Sequence, residues 1–147
     1  MIGCALLALA LVAGCTPYGA AAGEATSGGG SPLEGTTWRL VELGGRPARP
    51  AGTDAPNLRL DAAQKRAGGN TGCNSYGGGY ELSGESLRFG ALASTRRACT
   101  DETLNAQEAA FLGALGDTRN WQVTGDTLVL RGESGVVARF AAQSAQS

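Results

Sequence analysis

Two stretches of the chain carry the same alternation: Tyr80-Glu-Leu-Ser-Gly-Glu-Ser-Leu-Arg-Phe89 and Trp121-Gln-Val-Thr-Gly-Asp-Thr-Leu-Val-Leu130. Large apolar residues fall on every second position, so they share one face of an extended strand. At the centre of each stretch stands Gly followed by an acid, Gly84-Glu85 and Gly125-Asp126. That pair suits a tight primed turn in which Gly supplies the positive φ, so each stretch is predicted to be a β-hairpin. Period two recurs at Trp38/Leu40, Leu58/Leu60 and Val136/Ala138/Phe140, and Arg39, Arg59, Glu81, Arg88, Gln122 and Arg139 fall on the opposite face. A half-buried antiparallel sheet requires this pattern. A further turn is expected around Gly132 to Gly135.

One helix interrupts the strands. Thr100 is placed to cap it, Asp101 and Glu102 complement its positive end, and Gly116 follows the last apolar position as the expected C′ residue. Leu104, Phe111 and Leu115 form its apolar stripe, with Leu112 beside it. About 110 residues belong to this pattern, enough for one core and too few for two. The expected fold is α+β and mostly β: a strongly curved antiparallel sheet of about seven to eight strands, an incomplete, cracked β-barrel closed by one helix.

The N-terminal region has another character. Ile2 to Gly14 is uncharged and rich in Leu and Ala, and it ends Leu11-Val12-Ala13-Gly14-Cys15. Such a run is too short to span a bilayer, which takes about 20 residues, and it reads as a signal-peptide core. The ending resembles a bacterial lipobox, in which cleavage before the Cys leaves it lipidated; Cys15 is the candidate. No Lys or Arg precedes the apolar run, a departure from the usual signal peptide. Thr16 to Pro32 is rich in Gly, Ala, Ser and Pro with one charge, Glu24. It reads as a tether with a root-mean-square reach of roughly 20 to 25 Å. The expected organisation is a signal peptide at 1–14, lipidated Cys and linker at 15–32, the folded domain at 33–141 and a disordered tail at 142–147.

Composition removes several function classes. Twelve basic and thirteen acidic residues, scattered singly, form no basic stripe, so nucleic acid is not an expected partner. The chain has no His, which removes Ser-His-Asp triads, Cys-His dyads and His-based metal sites. Gly68-Gly69-Asn70-Thr71-Gly72 lacks the Lys-Ser/Thr ending of a phosphate loop. These glycines are expected to serve positive φ, a bulge or a close backbone approach in a curved sheet. No catalytic residue, metal or cofactor is expected.

The remaining chemistry-bearing residues cluster in Gly72-Cys73-Asn74-Ser75-Tyr76-Gly77-Gly78-Gly79-Tyr80, in Thr95-Arg96-Arg97-Ala98-Cys99, and in a helix containing Glu108. Cys73 and Cys99 are the only thiols expected in the mature domain besides Cys15. An even pair in an exported domain is expected to be a disulfide, with two reduced thiols or a redox role as the alternatives. Asn74 is placed to satisfy backbone groups at a bulge, and Tyr76 and Tyr80 share one strand face. Glu108 sits in the apolar stripe of the helix, where a carboxylate needs a partner; Arg96 or a backbone donor near Cys99 is expected to supply it. The alternative is an isolated catalytic acid.

Together these segments resemble the META domain, the HslJ-like family of small bacterial envelope proteins. Its recurrent features are a Gly-Cys-Asn-x-Tyr-x-Gly-x-Tyr segment, a Thr-Arg-x-x-Cys segment and a Glu-x-x-Phe-Leu helix. The resemblance assigns Gly72, Asn74, Tyr76, Gly78, Tyr80, Thr95, Arg96 and Glu108 to a structural motif. It implies a shape similar to the cracked barrel of a secretin pilot lipoprotein, a likeness of fold that transfers no function. Heat shock, antibiotic tolerance, secretion and virulence are the settings that it implies. The expected function is a non-enzymatic, membrane-anchored envelope lipoprotein with a binding or stress and maintenance role. Its soluble domain is expected to be monomeric, held through its N-terminal lipid to an outer membrane facing the periplasm, or otherwise to the outer face of the plasma membrane. The alternatives are an inhibitor or pilot module that docks one secreted or outer-membrane protein, with the two hairpin turns as its reading edge, and a small hydrolase.

Overall fold

The computed structural model describes residues 30–50, 55–96, 99 and 101–143. The expected signal peptide, Cys15, most of the expected linker, residues 51–54, Arg97, Ala98, Thr100 and residues 144–147 lie outside the described residues. The elements in chain order are β1 (Thr37–Leu43), β2 (Arg46–Pro47), β3 (Asn57–Asp61), β4 (Arg66–Asn70), β5 (Ser75–Ser83), β6 (Ser86–Phe89), β7 (Ala93–Ser94), α1 (Glu102–Asp117), β8 (Asn120–Thr124), β9 (Thr127–Gly132) and β10 (Gly135–Ala142).

The strands form one antiparallel sheet in the order β10-β9-β8-β6-β5-β4-β3-β1-β2, and β10 also pairs with β1. First and last long strands therefore meet, with Trp38 opposite Ala142 and Leu40 opposite Phe140. Hydrogen bonding runs around a ring, as the alternating pattern requires if every strand is to turn its apolar face to one core. The seam between β6 and β8 is the thin one. Its register has a single pair, Ser86 with Asn120, flanked by bonds from Leu87 N to Arg119 O and from Trp121 N to Glu85 O. Helix α1 packs against β1, β6, β9 and β10 and covers the core beside this seam. The result is a strongly curved sheet cracked at one seam and closed by one helix.

Both predicted hairpins form with two-residue turns, Ser83 pairing with Ser86 and Thr124 with Thr127. Gly84 has φ +56° and Gly125 φ +59°, the first-position geometry of a primed turn that L side chains rarely adopt. The third turn joins Gly132 to Gly135. Trp38, Leu40, Leu58, Leu60, Leu87, Leu128, Leu130, Ala138 and Phe140 are all buried, while Arg39, Arg59, Glu81, Arg88 and Gln122 are exposed.

Alternation misses three strands. Strands β2 and β7 are two residues each, too short for a period, and β4 reads Arg-Ala-Gly-Gly-Asn with one buried apolar residue, Ala67. Glycine on β4 and β5 allows close backbone approach. Gly68 lies opposite Gly77 and Ala67 opposite Gly78. A Cβ on Gly78 would stand 2.6 Å from the Ala91 carbonyl oxygen and 2.8 Å from Leu92 Cδ2. The segment after β6 can therefore lie over β5, and β7 continues along the edge of β5 opposite β4.

The helix departs from expectation at both ends. Its N-cap is Asp101, whose carboxylate accepts from Thr103 N at 2.8 Å and Thr103 Oγ1 at 2.6 Å. Those bonds hold the Asp101 carboxyl below its usual pKa. At the other end the helix runs through Gly116 to Asp117, and Thr118 is the C-cap, its hydroxyl donating to Ala114 O at 2.9 Å. Gly116 does not adopt positive φ because capping by Thr118 leaves no left-handed residue to supply. Phe111, Ala114 and Leu115 are the buried face. Phe111 meets Tyr76 edge-on at 5.5 Å between ring centres and Phe140 at 6.2 Å. Each such pair adds about 0.5 to 1.5 kcal/mol to the burial of its rings.

Candidate functional site

The motif residues converge where β5 begins, β7 ends and α1 starts. Cys73, just before β5, is bonded to Cys99, just before α1, with 5.5 Å between their Cα atoms. In the chain-entropy account, closing a loop of 26 residues' separation removes about 3.5 kcal/mol of unfolded-state freedom. Gly72 has φ +105°, and its N–H donates to Asn70 Oδ1 at 2.6 Å.

Asn74 stands at the centre of the cluster and is buried. Its backbone N–H donates to Thr71 Oγ1 at 3.0 Å, and its carbonyl accepts from Thr71 N at 2.7 Å. Its side-chain Nδ2 donates to both oxygens of Glu108, at 2.9 Å each, and its Oδ1 accepts from Thr95 Oγ1 at 2.9 Å. The chain Thr95, Asn74, Glu108 thus ties β7 to β5 and β5 to the helix. The Asn74 side chain, expected to serve backbone groups at a bulge, binds the side chains of Glu108 and Thr95 and supplies the partner expected from elsewhere.

Arg96 is not that partner. It is exposed and forms no ion pair among the described residues. Glu108 is half-buried rather than enclosed, so a neutral amide suffices, and among the described residues no cation pairs with it. The Cys99 sulfur lies 3.9 Å from Glu108 Oε2, but a disulfide sulfur carries no proton, so this is a contact rather than a donated bond. Near Cys99 the helix is anchored by Asn105, whose Oδ1 accepts from Cys99 N at 2.9 Å. Sequence reasoning missed Asn105, Asn57 and Glu34, because a single polar residue carries no periodic signal.

The two tyrosines share the inner face of β5, as expected. Tyr76 OH donates to Asn57 O at 2.7 Å, and burial pushes its phenol well above the ordinary pKa. Tyr80 OH donates to Glu34 Oε2. Burial, then the Glu34 carboxylate and finally the charge of Asp61, raises the Tyr80 phenol likewise. Lys65 Nζ bridges this corner, 3.4 Å from Glu34 Oε2 and 5.7 Å above the Tyr80 ring. Glu34 thus pins the start of the domain to β5.

Among the described residues, concavities outside this cluster include a cleft and a groove. A polar cleft of about 500 Å³ is bordered by Ser31, Thr37, Arg59, Asp126 and Gln143. Here Ser31 N–H donates to Gly125 O at 3.1 Å and Ser31 Oγ to Asp126 Oδ1 at 2.8 Å, so the β8–β9 turn receives the incoming chain. A larger groove of about 660 Å³ runs between α1, the β1–β2 turn and β10, lined by Leu43, Arg46, Ala106, Ala110, Ala114 and Val137, with Asp117 at one end. Leu43 pairs with Ala138 while Trp38 pairs with Ala142. The groove and the entry of the chain therefore lie at opposite ends of β1, whose seven residues span roughly 20 Å.

The META domain family model matches residues 31–145. Among solved structures, the chain is similar to a protein from Burkholderia xenovorans determined by NMR, with 27% identity, a TM-score of 0.65, and coverage of 77% of this chain and 85% of that one. A second NMR structure gives 21% identity and a TM-score of 0.60 over 74% of this chain and 91% of the other. A crystal structure of a duf4847 family protein from Bacteroides vulgatus gives 15% identity and a TM-score of 0.54 over 78% and 96%, a likeness of fold alone. No curated protein matches the sequence.

Proposed function

The chain belongs to the META domain family, and from that premise we propose that it is a lipid-anchored protein of the bacterial envelope that acts by binding, without catalysis. One observation carries this reading. The chain enters the domain at Ser31, bonded to the β8–β9 turn, while the apolar groove beside α1 opens at the other end of β1. A domain tethered through Cys15 would hold its entry pole toward the membrane and present the groove away from it. A linker of the length and Gly-, Ala- and Ser-rich composition of Thr16 to Pro32 would supply the clearance.

The motif supports a scaffold role for its own residues. Asn74, Thr95 and Glu108 hydrogen-bond one another, and Cys73 and Cys99 are bonded. The groove supplies the binding surface: small apolar side chains along Ala106, Ala110 and Ala114, with Arg46 exposed at the rim and in no ion pair among the described residues. Its chemistry fits a segment of an envelope protein that offers apolar side chains and a carboxylate for Arg46. The Gly125–Asp126 turn, occupied by the incoming chain, is the weaker of the two turns as a reading edge.

Cell fractionation with palmitate labelling tests the anchor. Cys15→Ala should release the protein from the membrane fraction and abolish the label; unchanged fractionation and labelling would reject the lipobox. Affinity capture from envelope extract tests the binding. One stoichiometric partner, lost with Ala110→Arg and retained with Arg59→Ala on the opposite pole, supports a docking module. Capture indifferent to Ala110→Arg removes the groove from the proposal.

A further inference from the structure

The cluster that ties β5 to α1 contains a second chemistry that the bridge conceals. The two cysteine sulfurs and a carboxylate oxygen of Glu108 all lie within 4.8 Å of one another, and all three residues are half-buried. We propose that reduction of the Cys73–Cys99 bridge converts this cluster into a site for a soft divalent cation such as Zn²⁺ or Cd²⁺, with Cys73 Sγ, Cys99 Sγ and Glu108 as ligands and water in the fourth position.

The geometry suits the donor set. Tetrahedral zinc with Zn–S bonds of about 2.3 Å sets its two sulfurs about 3.8 Å apart. Two Cα atoms 5.5 Å apart accommodate that spacing by side-chain rotation after the bridge opens. The carboxylate is already oriented, because Asn74 Nδ2 donates to both of its oxygens and Thr95 Oγ1 in turn donates to Asn74 Oδ1. Such outer hydrogen bonds are the usual support of a ligating carboxylate. Thiolate ligands select Zn²⁺ and Cd²⁺ over the hard cations Mg²⁺ and Ca²⁺.

The chemistry balances with a thiol as reductant. Two thiols are oxidised to their own disulfide while the Sγ–Sγ bond takes up two electrons and two protons. Cation binding then displaces those two protons to solvent and forms two metal–sulfur bonds. In the oxidised protein neither sulfur is a thiolate, so the bridge keeps the site closed.

The test uses the full chain carrying Cys4→Ser and Cys15→Ser, so that only the two thiols of interest remain. After reduction with a phosphine, Cd²⁺ is added and the ultraviolet thiolate-to-metal absorption is followed. The expected result is saturation at one Cd²⁺ per chain, release of two protons per metal, displacement by Zn²⁺, and no absorption before reduction. Cys99→Ser should abolish the absorption. Loss of an outer partner alone weakens metal sites about 10 to 100-fold, so Glu108→Gln should weaken binding at least about tenfold. Circular dichroism of each reduced variant establishes that the fold is retained. Several results overturn the proposal: no absorption from the reduced parent chain, saturation at half a metal per chain, or a folded Glu108→Gln variant that binds as tightly as the parent. A reduced chain that is unfolded and stays so with metal overturns it too.

Discussion

Replacing Glu108 by Ala probes the joint between sheet and helix. In the folded protein one amide nitrogen, Asn74 Nδ2, serves both carboxylate oxygens at 2.9 Å. Asn74 is only 4% exposed, so water is poorly placed to substitute. A hydrogen bond to a charged group contributes about 1.5 to 3 kcal/mol, against about 3 to 5 for breaking a buried ion pair. The lower range applies because the partner is a neutral amide and Glu108 is half-buried. At about 4 °C per kcal/mol for a domain of this size, the melting temperature should fall by roughly 6 to 12 °C. Glu108→Gln, which keeps one acceptor oxygen, should fall less. The assay is thermal and urea unfolding of the parent, Glu108→Ala, Asn74→Ala and the double variant. Their effects should depart from additivity by about 1 kcal/mol or more, since sites without a shared interaction add to within about 0.5. Arg96→Ala should stay within about 0.5 kcal/mol of the parent. Additive effects of Asn74 and Glu108, or a coupling of Arg96 with Glu108, would refute the reasoning.

Reduction of Cys73–Cys99 should lower unfolding stability by up to about 3.5 kcal/mol in urea titration, and alkylation followed by intact-mass analysis should find both thiols only after reduction. Gly78→Ala should destabilise by about 1 to 3 kcal/mol, because its Cβ would lie 2.6 Å from the Ala91 carbonyl oxygen; a neutral effect in thermal melts would contradict that packing. Gly116→Ala should stabilise by up to about 1 kcal/mol, since the residue is helical and an added Cβ meets nothing within 4 Å, whereas a left-handed C′ glycine would give the opposite sign. Both Tyr76 and Tyr80 phenols are raised in the folded protein. Above the unfolded value of about 10 the unfolded chain therefore loses protons first, and stability should fall as pH rises through that range. Ultraviolet titration of the folded protein should show these two tyrosines ionising later than free phenol, and ionisation of both near pH 10 without unfolding would disprove it.

The alternation of apolar residues makes the hairpins legible, because a strand half exposed to water must repeat every two residues. Asp101 and Gly116 show the limit at helix ends. Several residues near a terminus can cap it, and only the backbone path selects one. Strand β4 shows another: with Ala67 as its one buried apolar side chain, it is a strand because β3 and β5 hydrogen-bond to it on both sides. No local pattern encodes that.

By itself the sequence determined the mostly β architecture, the three turns, Phe111 and Leu115 on the buried face of the helix and the family motif, since each follows from local spacing and residue type. Leu104, placed on that face by spacing, is not buried, and Ala114 is. Only the tertiary structure decided what met across the chain. The ring closes because Trp38 reaches Ala142, and the motif holds because Asn74 reaches Glu108 across 34 residues and Cys73 reaches Cys99. A carboxylate in an apolar stripe announces that it needs a donor. Which donor it receives is set by the degree of burial and by the path of the backbone around it. A half-buried position beside β5 lets a neutral amide take the place that the sequence offered to an arginine.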